Sequence, residues 1–106
     1  MSLVRFIETS IFTKRIVEIL EDEEYRHLQE ALAFRPDLGD VLPGSGGLRK
    51  VRWKTSRKGK RSGVRVIYYW AIKEATILMH FIFKKNERSD LTAVQIEALR
   101  RIVEEE

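Results

Sequence analysis

Val64-Arg65-Val66-Ile67-Tyr68-Tyr69-Trp70-Ala71-Ile72 is the stretch on which the fold turns. It is β-branched and aromatic almost throughout, the composition of a strand packed on a buried, pleated surface. Before it stands Leu48-Arg49-Lys50-Val51-Arg52-Trp53-Lys54, in which cations alternate with apolar side chains. Alternation at period two marks a half-buried strand, because successive side chains leave opposite faces. Between the two, Thr55 to Ser62 is polar, basic and glycine-containing and reads as an exposed hairpin loop. Lys73-Glu74-Ala75 reads as a tight turn and Thr76 to Phe83 as the next strand. Three successive strands with short links predict an antiparallel meander.

Working outward, Leu3 to Ile7 reads as a short first strand. Thr9 or Ser10 is placed to cap a helix, since a side-chain oxygen there accepts from a free backbone N–H. Phe12, Ile16, Ile19 and Leu20 then recur at helical spacing and form one apolar stripe. Asp22 is placed to cap a second helix, with Glu23 and Glu24 in a first turn where negative charge suits the dipole. Tyr25, Leu28, Ala31 and Leu32 form its buried face, and Pro36 ends it. Two antiparallel helices are expected. Gly44-Ser45-Gly46-Gly47 reads as a flexible turn into the basic strand. Thr92 and Gln95 make a capping-box pattern before Ile96, Leu99, Ile102 and Val103, so a last helix follows. The expected order is β-α-α-β-β-β-α in one α+β domain covering residues 1–106.

The chain of 106 residues is 43% hydrophobic, enough for one modest core, and carries a net charge of +4. The charge is unevenly placed. Residues 41–73 hold ten of the 20 basic side chains and no acidic one. Residues 18–40 hold eight acidic side chains against Arg26 and Arg35. A folded basic strand presents fixed cations to something with regularly spaced negative charge, and nucleic acid is the obvious candidate. There is no cysteine, which excludes disulfides, thiolate metal sites and cysteine nucleophiles and suits a reducing cytoplasm. Met1 to Ser10 reads neither as a signal peptide nor as a membrane span.

Strand parity sorts the cations. Lys50, Arg52 and Lys54 share a face with Leu48, whereas Arg49 shares the other with Val51 and Trp53. Val51 and Trp53 should therefore be buried. Lys50, Arg52 and Lys54 should form an open row with about 7 Å between cations. That row reads either as a phosphate-tracking surface or as a solvated face whose lysines discourage edge pairing. Arg65 is the one charge in an apolar strand and reads either as a solvated strand-entry residue or as a cation held for a purpose. Phe83 to Asp90 leaves the last strand, a place where sites are commonly assembled. His80 lies mid-strand and His27 on the acidic helix, so no zinc site is expected. Neither glycine cluster ends in the Gly-Lys-Ser/Thr of a P-loop.

Three runs together resemble the RelE/HigB toxins of bacterial toxin–antitoxin systems, and more narrowly their RelE-like HigB branch. They are Gly46 to Arg52, Gly59 to Tyr69 and Lys84 to Leu91. The resemblance implies a small α+β domain with helices packed on a curved antiparallel sheet. It implies a ribosome-dependent messenger RNA endoribonuclease, active through 2′-hydroxyl attack with no metal or cofactor. It implies silencing by a cognate antitoxin, here a helix-turn-helix HigA-like protein, with a toxin that is monomeric alone and oligomeric only through that partner. The family's catalytic cations fall at Lys50, Arg52, Arg65 and Lys85, or Lys84 under a different gap placement. The other basic residues, Arg49, Lys54, Arg57, Lys58, Lys60, Arg61 and Lys84, would bind RNA or the ribosome. The family often carries a tyrosine near the C-terminus; this chain has none after Tyr69. A ParE-like gyrase poison or a non-catalytic ribosome-binding module would carry a similar basic face.

In the implied reaction Arg52 and Arg65 suit the phosphorane, because a guanidinium grips two phosphate oxygens. Lys50 suits the base, since neighbouring cations disfavour its charged form, and Lys85 suits the leaving group. The loop cations Arg57, Lys58, Lys60 and Arg61 are assigned to docking. Neutralising two of them should weaken ribosome association and flatten its salt dependence by roughly 0.7 per lost contact. Cleavage on saturated ribosomes should remain. Sedimentation over a salt series, paired with single-turnover cleavage, checks both halves.

Overall fold

The computed structural model describes residues 3–55, 63–85 and 91–105, the side chains of 102–105 excepted. The elements are β1 (Arg5–Glu8), α1 (Ser10–Ile19), α2 (Asp22–Phe34), β2 (Asp40–Val41), β3 (Leu48–Trp53), β4 (Val64–Ala71), β5 (Thr76–Lys84) and α3 (Ala93–Glu105). This is the expected order with one short strand, β2, added at the edge. The sheet runs β1-β5-β4-β3-β2. β3, β4 and β5 form the antiparallel meander, and β1 joins β5 in parallel.

The helix starts follow from their caps. The Phe12 N–H donates to Thr9 Oγ1 at 3.2 Å, and the same hydroxyl donates to the His80 carbonyl at 2.8 Å. One residue thus starts α1 and ties it to β5. At α2 the cap is Glu21 rather than Asp22, and the Glu24 carboxylate accepts from the Glu21 N–H at 3.2 Å. At α3 the Thr92–Gln95 box forms as read, with reciprocal bonds of 2.9 and 3.1 Å. The Gly44–Gly47 turn is built rather than loose. Gly47 has φ +107°, and a Cβ there would meet the Tyr69 ring at 3.0 Å.

The sheet is covered on both faces. On one face Val51, Val64, Val66, Tyr68, Ile77, Met79 and Ile82 pack with Phe12 and Ile16 of α1 and Leu28 and Leu32 of α2. On the other, Leu48, Ile67, Phe81 and Phe83 pack with Leu91 and with Ile96 and Leu99 of α3. β5 serves both cores through a bulge. Ile67 pairs with Phe81 and Tyr68 with Met79, so His80 has no opposite residue on β4. The extra residue reverses the alternation. Ile77 and Met79 therefore face α1 and α2, while Phe81 and Phe83 face α3. Past Met79, β1 no longer pairs with β5. Arg15 covers that edge, donating to the Ile82 carbonyl at 2.7 Å with its guanidinium 4.9 Å from the Phe81 ring centroid.

His80 is fully buried, and neither ring nitrogen has a hydrogen-bond partner among the described residues. Burial alone lowers its pKa from 6.5 to about 4. The unfolded chain takes the proton near pH 6.5 and the folded chain only near 4, so protonation favours unfolding. Stability should rise with pH between about 4 and about 6.5. At 1.36 kcal/mol per unit, His80 contributes on the order of 3 kcal/mol to that rise. Urea midpoints across this range should show a steeper pH slope for the wild type than for His80→Leu.

Candidate nucleic-acid interface

The meander register puts two arginines face to face. Arg52 of β3 lies directly opposite Arg65 of β4, and Arg65 lies opposite Phe83 of β5. Opposed residues of an antiparallel pair share a face, so the three form one row on the side that α3 covers. Like charges directly opposite each other disfavour pairing. Arg65 is only 6% exposed, while Arg52 stands in solvent. The fold therefore concentrates positive charge at a point where apolar residues would pack better. That arrangement suits an incoming anion. Lys50 sits in the next row, opposite Ile67, and is half-buried. The Lys85 N–H donates to the Gly63 carbonyl at 3.4 Å, which sets exposed Lys85 at the same end of the sheet.

Two expectations about exposure need correction. The solvated strand-entry reading of Arg65 is overturned, since it is only 6% exposed. The Leu48 face was expected to be open; Leu48 is fully buried beneath the core to which Ile96 and Leu99 of α3 contribute, and exposure grows only towards Arg52 and Lys54. The last helix lies on this face, and strand parity alone says nothing about which face a distant helix covers. On the other face Val51 is buried as expected, but Trp53 is only half-buried.

Arg49 has a different environment from the other cations. It donates to the Gly39 carbonyl at 2.8 Å and to the Asp37 carbonyl at 3.4 Å. The buried Tyr68 hydroxyl completes the brace, accepting from the Gly39 N–H at 2.8 Å and donating to the Pro36 carbonyl at 2.7 Å. Burial raises the Tyr68 pKa, so the phenol keeps the proton it donates. A Cβ at Gly39 would meet the Lys50 backbone at 2.9 Å, so the segment after α2 is drawn tightly against β3. Lys84 pairs with Val64, which pairs with Trp53. Lys84 therefore belongs to the α1–α2 face rather than to the arginine row. Lys54 lies just beyond β3, exposed. Arg57, Lys58, Lys60 and Arg61 lie outside the described residues. Among the described residues no cluster of three His, Cys, Asp or Glu could hold a metal, and no helix is long and apolar enough to cross a membrane.

The same architecture occurs in solved structures of a bacterial toxin. An arginine double mutant of E. coli toxin RelE in the free state superposes with TM-score 0.62 at 12% identity, covering 96% of this chain and 98% of that one. The isolated E. coli RelE toxin gives 0.59 at 15% identity, covering 94% and 99%. The chain has the RelE fold. A chain of the intact E. coli RelBE toxin–antitoxin complex gives 0.60 at 14% identity, covering 77% of this chain and 96% of that one. No family model matches the sequence. The RelE-like order of elements is what brings Lys50, Arg52, Arg65 and Lys85 to one end of the sheet.

The bracing of Arg49 and the opposition of Arg52 to Arg65 have stability consequences. Arg49→Ala should destabilise the protein by about 1–3 kcal/mol, since it leaves the carbonyl of buried Gly39 without its charged donor. Arg52→Ala should change stability little or raise it, because it relieves the opposition to Arg65. Chemical denaturation of the two variants beside the wild type checks the contrast.

Proposed function

We propose that this chain is the toxin of a toxin–antitoxin pair, an endoribonuclease that cuts messenger RNA on the ribosome and so arrests translation and growth. The observation that carries this reading is the Arg52–Arg65 opposition, with Lys50 and Lys85 at the same end of a RelE-type sheet. Cleavage without a metal has three needs. The ribose 2′-oxygen must lose its proton and attack phosphorus. The pentavalent phosphorane must be stabilised. The 5′-oxygen must leave with a proton. Buried Arg65 and exposed Arg52 together suit the phosphorane oxygens. Lys50, one row away, takes the proton from the 2′-hydroxyl. Lys85 serves the departing 5′-oxygen. The ribosome supplies orientation, which is worth roughly 7–11 kcal/mol of barrier in favourable cases.

The three motif runs resemble the HigB branch, and the RelBE complex supports the presence of a cognate antitoxin. A helix-turn-helix protein of the HigA kind would fill that role, in the cytoplasm, with the toxin monomeric until bound.

Expression without an antitoxin should arrest growth and leave new 5′ ends within translated transcripts. Lys50→Ala and Arg52→Ala should each lower cleavage about a hundredfold or more while the melting temperature holds. Arg65→Lys is the informative change at the third position, because Arg65 is buried and Arg65→Ala also leaves a hole in the packing. Arrest accompanied by DNA breaks and intact transcripts would instead mark a ParE-like gyrase poison.

A further inference from the structure

β2 covers β3 only at Arg49 and Lys50. From Val51 to Trp53 the outer edge of β3 therefore has no strand beside it among the described residues. Two open clefts flank this stretch, and Arg52 and Trp53 line both. One, about 760 Å³, lies between the start of α2 and the end of β3, lined by Glu21, Glu23, Glu24, His27, Arg52, Trp53, Lys54 and Thr55. Its two walls are tied together, as the Thr55 hydroxyl donates to the Glu24 carboxylate at 2.7 Å.

The chemistry of this cleft is divided. The α2 wall is anionic: Glu21 and Glu23 are exposed, although Glu21 also accepts from the Glu24 N–H and Glu23 pairs with Arg26 at 3.9 Å, and Glu24 accepts from Thr55. The β3 wall carries two exposed cations, Arg52 and Lys54, and, from the other face of the strand, the half-buried indole of Trp53, which packs partly against the main core. Three carboxylates repel a phosphate from the α2 side. Two cations attract one to the β3 side. The aromatic face that also lines the cleft takes a flat, neutral, apolar-faced group. A nucleotide combines these properties: its phosphate is anionic, its base is neutral and stacks on aromatic side chains. The exocyclic amino groups of adenine, cytosine and guanine donate to carboxylates, and uracil has none.

We infer that this cleft is a nucleobase subsite of the RNA interface. A base neighbouring the scissile phosphate leaves the arginine row over the edge of β3 and stacks on Trp53. Its phosphate stays on Arg52 and Lys54, and its amino group donates to Glu21 or Glu23. The subsite presupposes the RNA-binding role proposed above and adds to it a preference for amino-bearing bases over uracil.

Trp53 also packs on the core, so the test compares Trp53→Phe with Trp53→Leu, which both keep apolar bulk while only one keeps a stacking face. The probes are short oligo(A), oligo(C) and oligo(U), titrated at low salt into the full chain. Trp53 emission is read in a Trp70→Phe background, where it is the only tryptophan. Oligo(A) and oligo(C) should quench the emission and bind more tightly than oligo(U). Read by the fluorescence anisotropy of dye-labelled oligo(A), Trp53→Phe should retain this binding, and Trp53→Leu should weaken it about fivefold to a hundredfold. Glu21→Gln with Glu23→Gln should narrow the gap between oligo(A) and oligo(U). Unquenched emission, equal affinity for the three probes, or wild-type binding by Trp53→Leu overturns the subsite. So does a Trp53→Leu protein that binds RNA normally but loses its antitoxin, which would make the cleft a protein dock. Cleavage on programmed ribosomes separates the two claims: a wild type that cuts RNA without quenching removes the subsite and leaves the nuclease standing, and one that neither binds nor cuts removes both.

Discussion

Burial of β4 on both faces is the constraint on which the molecule depends. Val64, Val66 and Tyr68 point under α1 and α2, and Ile67 points under the α3 side. A central strand with two covered faces has no solvent face to spare for a charge. Arg65 nevertheless occupies one of its positions, 6% exposed and opposite a second arginine. Its place in a rigid strand fixes the backbone of the guanidinium to within the precision of the sheet. Arg52, on the neighbouring strand but exposed, keeps the freedom to follow a ligand.

The bulge at His80 is what makes two covered faces possible. Without it, Ile77, Met79, Phe81 and Phe83 would share one face by strict alternation. With it, β5 gives its first half to the α1–α2 core and most of its second half to the α3 core. Thr9 and Arg15 then satisfy the carbonyls of His80 and Ile82, which β1 is too short to reach. Arg15 therefore belongs to the architecture, as Arg49 does, and the excess of basic residues overstates the number facing an external anion.

Charge segregation along the chain takes on spatial meaning at the end of β3. The acidic first turn of α2 comes to rest beside the basic end of that strand, bridged by Thr55 and Glu24. Acidic residues near the N-terminus of α2 suit its dipole, so they are explained locally. Their position beside Trp53 and Arg52 is a tertiary fact, and it turns a plain cationic strip into a surface with an anionic border.

Much was legible in the sequence because it rests on local rules. The caps at Thr9 and Thr92, the meander of Leu48–Lys54, Val64–Ile72 and Thr76–Phe83, and the grouping of Lys50 with Arg52 all follow from spacing of a few residues. The burial of Arg65, the covering of Leu48, the bracing role of Arg49 and the half-exposure of Trp53 do not. Each depends on tertiary packing, as the α3-side core does for Leu48 and the Pro36–Gly39 turn for Arg49. Strand periodicity determines which side chains share a face, because the pleat alternates regardless of context. Only the tertiary structure decides whether that face is roofed, since what covers it is set by the packing of elements that local spacing does not connect.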